Sequence, residues 1–124
     1  MEIGNVKLLN LAAKIAASSR SPLIKKDYLL AAIVKRKDGA LVSSTNGLTV
    51  TPQPSAHAEA RVLRMADFGA TLYVVRILRN GEWAMAKPCS KCQAYIRSKG
   101  IVRVYYSIGK DEYGVWDVSK TKNP

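Results

Sequence analysis

The stretch Ala86–Ser107, AKPCSKCQAYIRSKGIVRVYYS, decides how this chain is read. It places both cysteines of the chain, Cys89 and Cys92, within one helical turn and directly after Pro88. Ser90 to Lys99 has helical spacing and Gly100 is a natural helix stop. IVRVYYSI, which follows, reads as a strand. A helix that carries two thiols in its first turn and returns into a strand implies a sheet for it to cover.

Upstream, TLYVVRILRN is a β-rich run, Asn80-Gly81 is a turn signal, and EWAMAKP returns towards Cys89 as the second arm of a hairpin. Downstream, GKDEYG reads as a turn and VWDVS as a last strand. Nearer the start, YLLAAIVKRKDGALVSST reads as a hairpin, with strands Tyr28–Lys35 and Ala40–Thr45 joined at Asp38-Gly39. NGLTVTPQPS, residues 46–55, is a loop with two prolines. SAHAEARVLRMADFG reads as a helix capped by Ser55 and stopped by Gly69. Val6 to about Arg20 has Leu8, Leu9, Ala12, Ile15 and Ala16 at helical spacing, and Pro22 ends it. The order α-β-β-α-β-α-β-β predicts a mixed sheet with helices on both faces.

A chain of 124 residues is one domain by length, residues 1–124, and 48% hydrophobic residues suit a packed core rather than disorder. No run of about 18 apolar residues is present, which argues against a membrane helix. MEIGNVKLLNLAAKIAASSR lacks the basic start and apolar run of a signal peptide, so a cytoplasmic, reducing setting is expected. In that setting two cysteines three apart read as ligands or redox groups rather than a structural disulfide. Twenty basic against nine acidic residues give a net charge of +11, which attracts phosphates and leaves a nucleotide or a nucleic acid open as partner.

The chain has one histidine, His57, two residues before Glu59. The fragments HAE and PCSKC lie 32 residues apart. Zinc takes nitrogen and thiolate ligands, and a catalytic zinc keeps three protein ligands and an open position for water. His57, Cys89 and Cys92 supply three, and no other His or Cys exists to close the site. Cysteines in the first turn of a helix sit at its positive end, which favours their thiolates. Residues two apart in a helix point to different sides, so His57 and Glu59 address one site only from a helix N-terminus. One zinc would acidify its water, and the resulting hydroxide would attack a ring carbon bearing an exocyclic amine. Glu59, beside the metal and not bound to it, would move the protons.

His-x-Glu followed by Pro-Cys-x-x-Cys resembles the cytidine deaminase superfamily, whose zinc-site signature has this form. The resemblance runs from the first helix through the last hairpin. KPCSKCQAYIRSKGIVRVYYS is most similar to small stand-alone cytidine and deoxycytidylate deaminase-like proteins. It implies a three-layer α/β/α sandwich on a five-stranded mixed sheet, His57, Cys89 and Cys92 as zinc ligands, and Glu59 as proton shuttle. It implies a substrate contact for Asn46, in the loop before HAE, although Asn-Gly is also a turn signal. Ala58 would lie against the base, and Pro88 would fix the Cys-bearing loop at the substrate. Small deaminases of this kind complete their pockets across subunits, so a homo-oligomer is implied.

Only 17 residues follow Ser107. IGKDEYG looks like a hairpin connection, so the last two strands are expected to be antiparallel, as in free-nucleoside cytidine deaminases. Deaminases of tRNA adenosine and polynucleotide cytosine usually place a helix there. The expected substrate is therefore a cytosine nucleoside or nucleotide. The alternatives are a base in single-stranded DNA or RNA, favoured by the charge, and a non-catalytic zinc-stabilised nucleic-acid-binding module, which lacks a fourth ligand. A Cys-x-x-Cys redox protein would leave His57 and Glu59 unexplained. Tyr28, Phe68, Trp83, Tyr105, Tyr106 and Trp116 could stack on a base, but packing is the simpler role for each.

Overall fold

The strands Tyr28–Lys35 (β1) and Thr71–Leu78 (β3) are apolar almost throughout, and that pattern marks strands covered on both faces. The structure, a computed structural model, describes residues 2–18, 28–45, 66, 68–78, 80–88, 90–109 and 112–118. Within it, β1 and β3 pair antiparallel along their full length, from Tyr28 opposite Leu78 to Lys35 opposite Thr71. Leu41–Thr45 (β2) pairs antiparallel with β1 at one edge. On the other side, β3 pairs in parallel with Arg103–Gly109 (β5), and β5 pairs antiparallel with Glu112–Asp117 (β6). The path is β2-β1-β3-β5-β6, and the short strand Trp83–Ala84 (β4) pairs with the end of β3.

Among the described residues two helices cover this sheet, one on each face. Helix α1, Glu2–Ser18, lays Leu9, Ala12 and Ala16 on Ala31 and Ile33 of β1, Tyr73, Val75 and Ile77 of β3, and Tyr105 of β5. The alternate residues Ala32, Val34, Leu72, Val74 and Val104 face the other way and meet Ile96 of α2, Ser90–Ser98, together with Trp116 of β6. The period-2 alternation of a strand divides each apolar run between two cores. The expected three-layer α/β/α sandwich on a mixed sheet is therefore the observed fold, and the last two strands are antiparallel as expected.

The boundaries differ in places. Helix α1 begins at Glu2 rather than Val6, because Asn5 is held by a tertiary contact that no local pattern reveals. Its side chain accepts from the Tyr73 hydroxyl at 2.5 Å and donates to the Tyr105 hydroxyl at 3.0 Å. Strand β6 begins at Glu112, so part of the expected GKDEYG turn is strand. Gly114 permits this: the Tyr106 ring of the opposing strand lies across it, and a Cβ there would stand 2.6 Å from Tyr106 Cζ. The helix read from Ser55 onward and the end of the first helix at Pro22 lie outside the described residues.

The end of α2 follows the expected stop. Gly100 N–H donates to Arg97 C=O and Ile101 N–H to Ile96 C=O, with Gly100 at φ 78°. Ile96 and Ile101 meet in the same core, which completes a Schellman cap. Phe68 covers Gly100, but its ring is 75% exposed and can turn aside, so the positive φ is what requires glycine. Gly100→Ala is expected to lower stability by about 1–2 kcal/mol in urea unfolding.

Tyr73 and Tyr105, opposite each other in the parallel pair, stack with centroids 5.1 Å apart. Burial raises the Tyr73 pKa to about 12; Tyr105 adds to the shift and Arg103 opposes it. A folded-state value above the unfolded value of about 10 gives stability that is complete below pH 10 and lost as pH rises towards 12. Tyr73→Phe is expected to flatten this alkaline loss, measured as the unfolding midpoint between about pH 9 and 12.

Candidate metal and active site

The head of α2 is where the Cys-x-x-Cys motif meets the fold. Pro88 is buried immediately before it, and Gln93 Nε2 donates to Pro88 C=O at 2.8 Å, tying the incoming chain to the first turn. Cys92 lies in that turn and is half-buried. The first turn carries no acidic side chain, so the partial positive charge of the helix end acts on the thiol undiminished by a local carboxylate. Arg97 sits in the last turn, where a cation complements the opposite end, and its guanidinium lies 5.5 Å from the Trp116 ring centroid.

The approach to α2 depends on Ser107, a fully buried polar residue. The parallel ladder between β3 and β5 ends at Val74 opposite Tyr106. Beyond that point β4 enters beside β3, pairing at Arg76–Ala84 and Ile77–Trp83. Ser107 bridges the resulting three-strand junction. Its hydroxyl donates to Ala84 C=O at 2.6 Å and accepts from Arg76 N–H at 3.1 Å, while its C=O accepts from Ala86 N–H at 2.9 Å. Buried backbone groups need partners, and one serine supplies them where the strands diverge. The chain from Ala84 to Pro88 is thereby fixed as it enters the helix.

Of the residues expected at the site, the structure places Pro88 and Cys92 together at the head of α2. His57, Glu59, Cys89, Asn46 and Ala58 lie outside the described residues. Among the described residues no three His, Cys, Asp or Glu side chains gather as a metal would require. The fit to zinc rests on donor chemistry: Cys92 sits at a positive helix end, and the chain holds one further Cys and one His. Sequence reasoning missed Ser107 and Gln93. The signal for Ser107 was one hydroxyl inside the apolar run VYYSI; for Gln93 there was none. Trp116 is buried in the core, Tyr106 packs over Gly114, and Trp83 lies against the α1 side, so these aromatics serve packing.

The comparisons agree with this geometry. The family model of the cytidine and deoxycytidylate deaminase zinc-binding region matches residues 5–108. The chain belongs to this deaminase family. Its fold is similar to that of cytidine deaminase from Burkholderia pseudomallei, with a TM-score of 0.61 and 16% identity over 89% of this chain and 92% of that one. Cytidine deaminase from Mycobacterium leprae gives a TM-score of 0.57 and 17% identity over 94% of each chain. At such identities the likeness is one of fold. Among curated proteins no sequence matches significantly. The family model is that of a zinc-binding region, and Cys92 at the head of α2 offers a donor of the type zinc takes.

Ser107→Ala is expected to leave Arg76 N–H and Ala84 C=O without their buried partner and to cost about 1–3 kcal/mol. Urea unfolding measures the loss. Amide exchange should quicken at Ala84 and Ala86 more than in β1, because the damage is local to the junction.

Proposed function

We propose that this chain is a zinc-dependent hydrolytic deaminase of a cytosine nucleoside or nucleotide. The observation that carries the reading is the family match across residues 5–108, in a chain whose Pro88 and Cys92 stand at the head of α2. His57, Cys89 and Cys92 would hold one zinc per chain. When bound, the metal supplies the Lewis acidity that makes water a nucleophile at neutral pH. Glu59 takes a proton from that water and passes it to the ring nitrogen next to the reacting carbon. A second proton goes through the same carboxylate to the amine. The carbon–nitrogen bond breaks, ammonia leaves, and the ring carbon keeps the oxygen as a carbonyl. Ala58, being small, leaves room for the base, Asn46 contacts base or sugar, and Pro88 holds the wall beside Cys89.

The antiparallel β5–β6 hairpin supports a free nucleoside or nucleotide as substrate, because polymer-acting relatives usually carry a helix in that connection. The charge of +11 favours the second reading, a base in single-stranded DNA or RNA. No helix among the described residues is long and apolar enough to cross a membrane. We place the enzyme in the cytoplasm, as a homo-oligomer.

Ammonia release from cytidine, deoxycytidine, CMP, dCMP and single-stranded DNA and RNA separates the two readings. Turnover of a monomeric cytosine compound is expected; release from polymers alone would establish the second reading. Glu59→Ala is expected to keep one zinc per chain by metal analysis and to lose at least about 100-fold in turnover. Cys89→Ala and Cys92→Ala are expected to lose the zinc.

A further inference from the structure

A second site lies at the other end of the sheet from the head of α2. The start of β3, the start of β5 and the end of β1 come together there, since Thr71 pairs with both Lys35 and Arg103. They line an open cavity of about 320 Å³. Its wall near α2 is Gly69, whose N–H donates to Gly100 C=O beyond the C-terminal end of that helix. Cys92 is eight residues back along the chain from Gly100, or about 12 Å at helical rise. The cavity is therefore separate from the metal centre.

Its lining is cationic. Lys35, Arg36, Lys37 and Arg103 contribute four positive side chains, and among the described residues no carboxylate lines it. Asp38 lies 3.7 Å from Arg36 and Asp117 lies 3.8 Å from Arg103, and both pairs are partly exposed, so each is weak and screened. The floor is polar and almost fully buried. Tyr73 is 1% exposed and Tyr105 6%, and both line the cavity with Asn5. The Tyr73 hydroxyl donates to Asn5 Oδ1, and Asn5 Nδ2 donates to the Tyr105 hydroxyl. The relay runs in one direction and ends on the Tyr105 O–H, a donor at the cavity floor. Burial keeps the Tyr73 phenol protonated far above neutral pH, so it is a donor and not a charge. Asn5 belongs to the opening turns of α1.

Four cations around a floor that offers the Tyr105 hydroxyl as donor match an anion with several acceptor oxygens. The volume exceeds that of a bare phosphate and lies at the low end of small-molecule pockets. We propose that this cavity binds the phosphate of a phosphorylated small molecule of nucleotide size, at a site distinct from the metal centre. Arg103 and Lys37 grip the phosphate from opposite walls, and Tyr105 donates to it from below.

Titration calorimetry on the zinc-loaded full chain tests this, with ribose 5-phosphate as probe, ribose as control and a single-stranded oligothymidylate as a third arm. Ribose 5-phosphate carries no base, so it reports on the phosphate alone. Expected is saturable binding of one ribose 5-phosphate per chain and none of ribose. Lys37→Gln with Arg103→Gln should weaken it about tenfold or more. Arg103→Lys, which keeps the charge, should lose less, and Tyr105→Phe should weaken binding a few-fold. Absence of saturable binding, equal affinity in the double variant, or binding of the oligonucleotide alone would overturn the proposal.

Discussion

Everything in this molecule depends on β1 and β3 being apolar on both faces. A strand with one polar face can lie on the surface; these two cannot. Ala31, Ala32, Ile33 and Val34 are at most 1% exposed, as are Leu72 to Val75. Both faces of the sheet centre must therefore be covered, and α1 and α2 are the covers. Helix α2 also carries the chain between the parallel strands β3 and β5, and a parallel pair always needs such a crossover. The cover that burial demands is thus also the element that carries Cys92, next to the end of the sheet where β4 enters.

Strand β4 shows how one constraint serves stability and function together. A parallel ladder that stops partway leaves buried backbone groups seeking partners. Here the chain on its way to α2 fills the gap, and the Ser107 hydroxyl completes the pairing. The hydrogen bonds that close the sheet also fix the path into the helix. Rigid support of this kind is what a metal ligand requires of the backbone behind it.

The two ends of the sheet differ in chemistry. One presents thiol chemistry at a helix head. The other presents Arg and Lys around a tyrosine floor. Stacked tyrosines form that floor because the parallel register sets Tyr73 beside Tyr105. The net charge of the chain thus has a local expression, in a pocket closed by side chains from α1, β1, β3 and β5.

Much of this was legible in the sequence. Strands β1 and β3 followed from continuous apolar runs, α2 from its spacing and glycine stop, and the β5–β6 hairpin from the turn-like IGKDEYG. The motif residues point to the chemistry proposed above, because zinc ligands and proton shuttles are drawn from few residue types. The β3–β4 hairpin was legible from Asn80-Gly81, but the bonding of β4 to Ser107, the early start of α1 and the basic cavity were not. Asn5 meets Tyr73 and Tyr105 across separations of 68 and 100 residues. Local periodicity reports which face of an element is apolar. It does not report which distant polar groups will share a buried space, because register and packing decide that only once the sheet has closed.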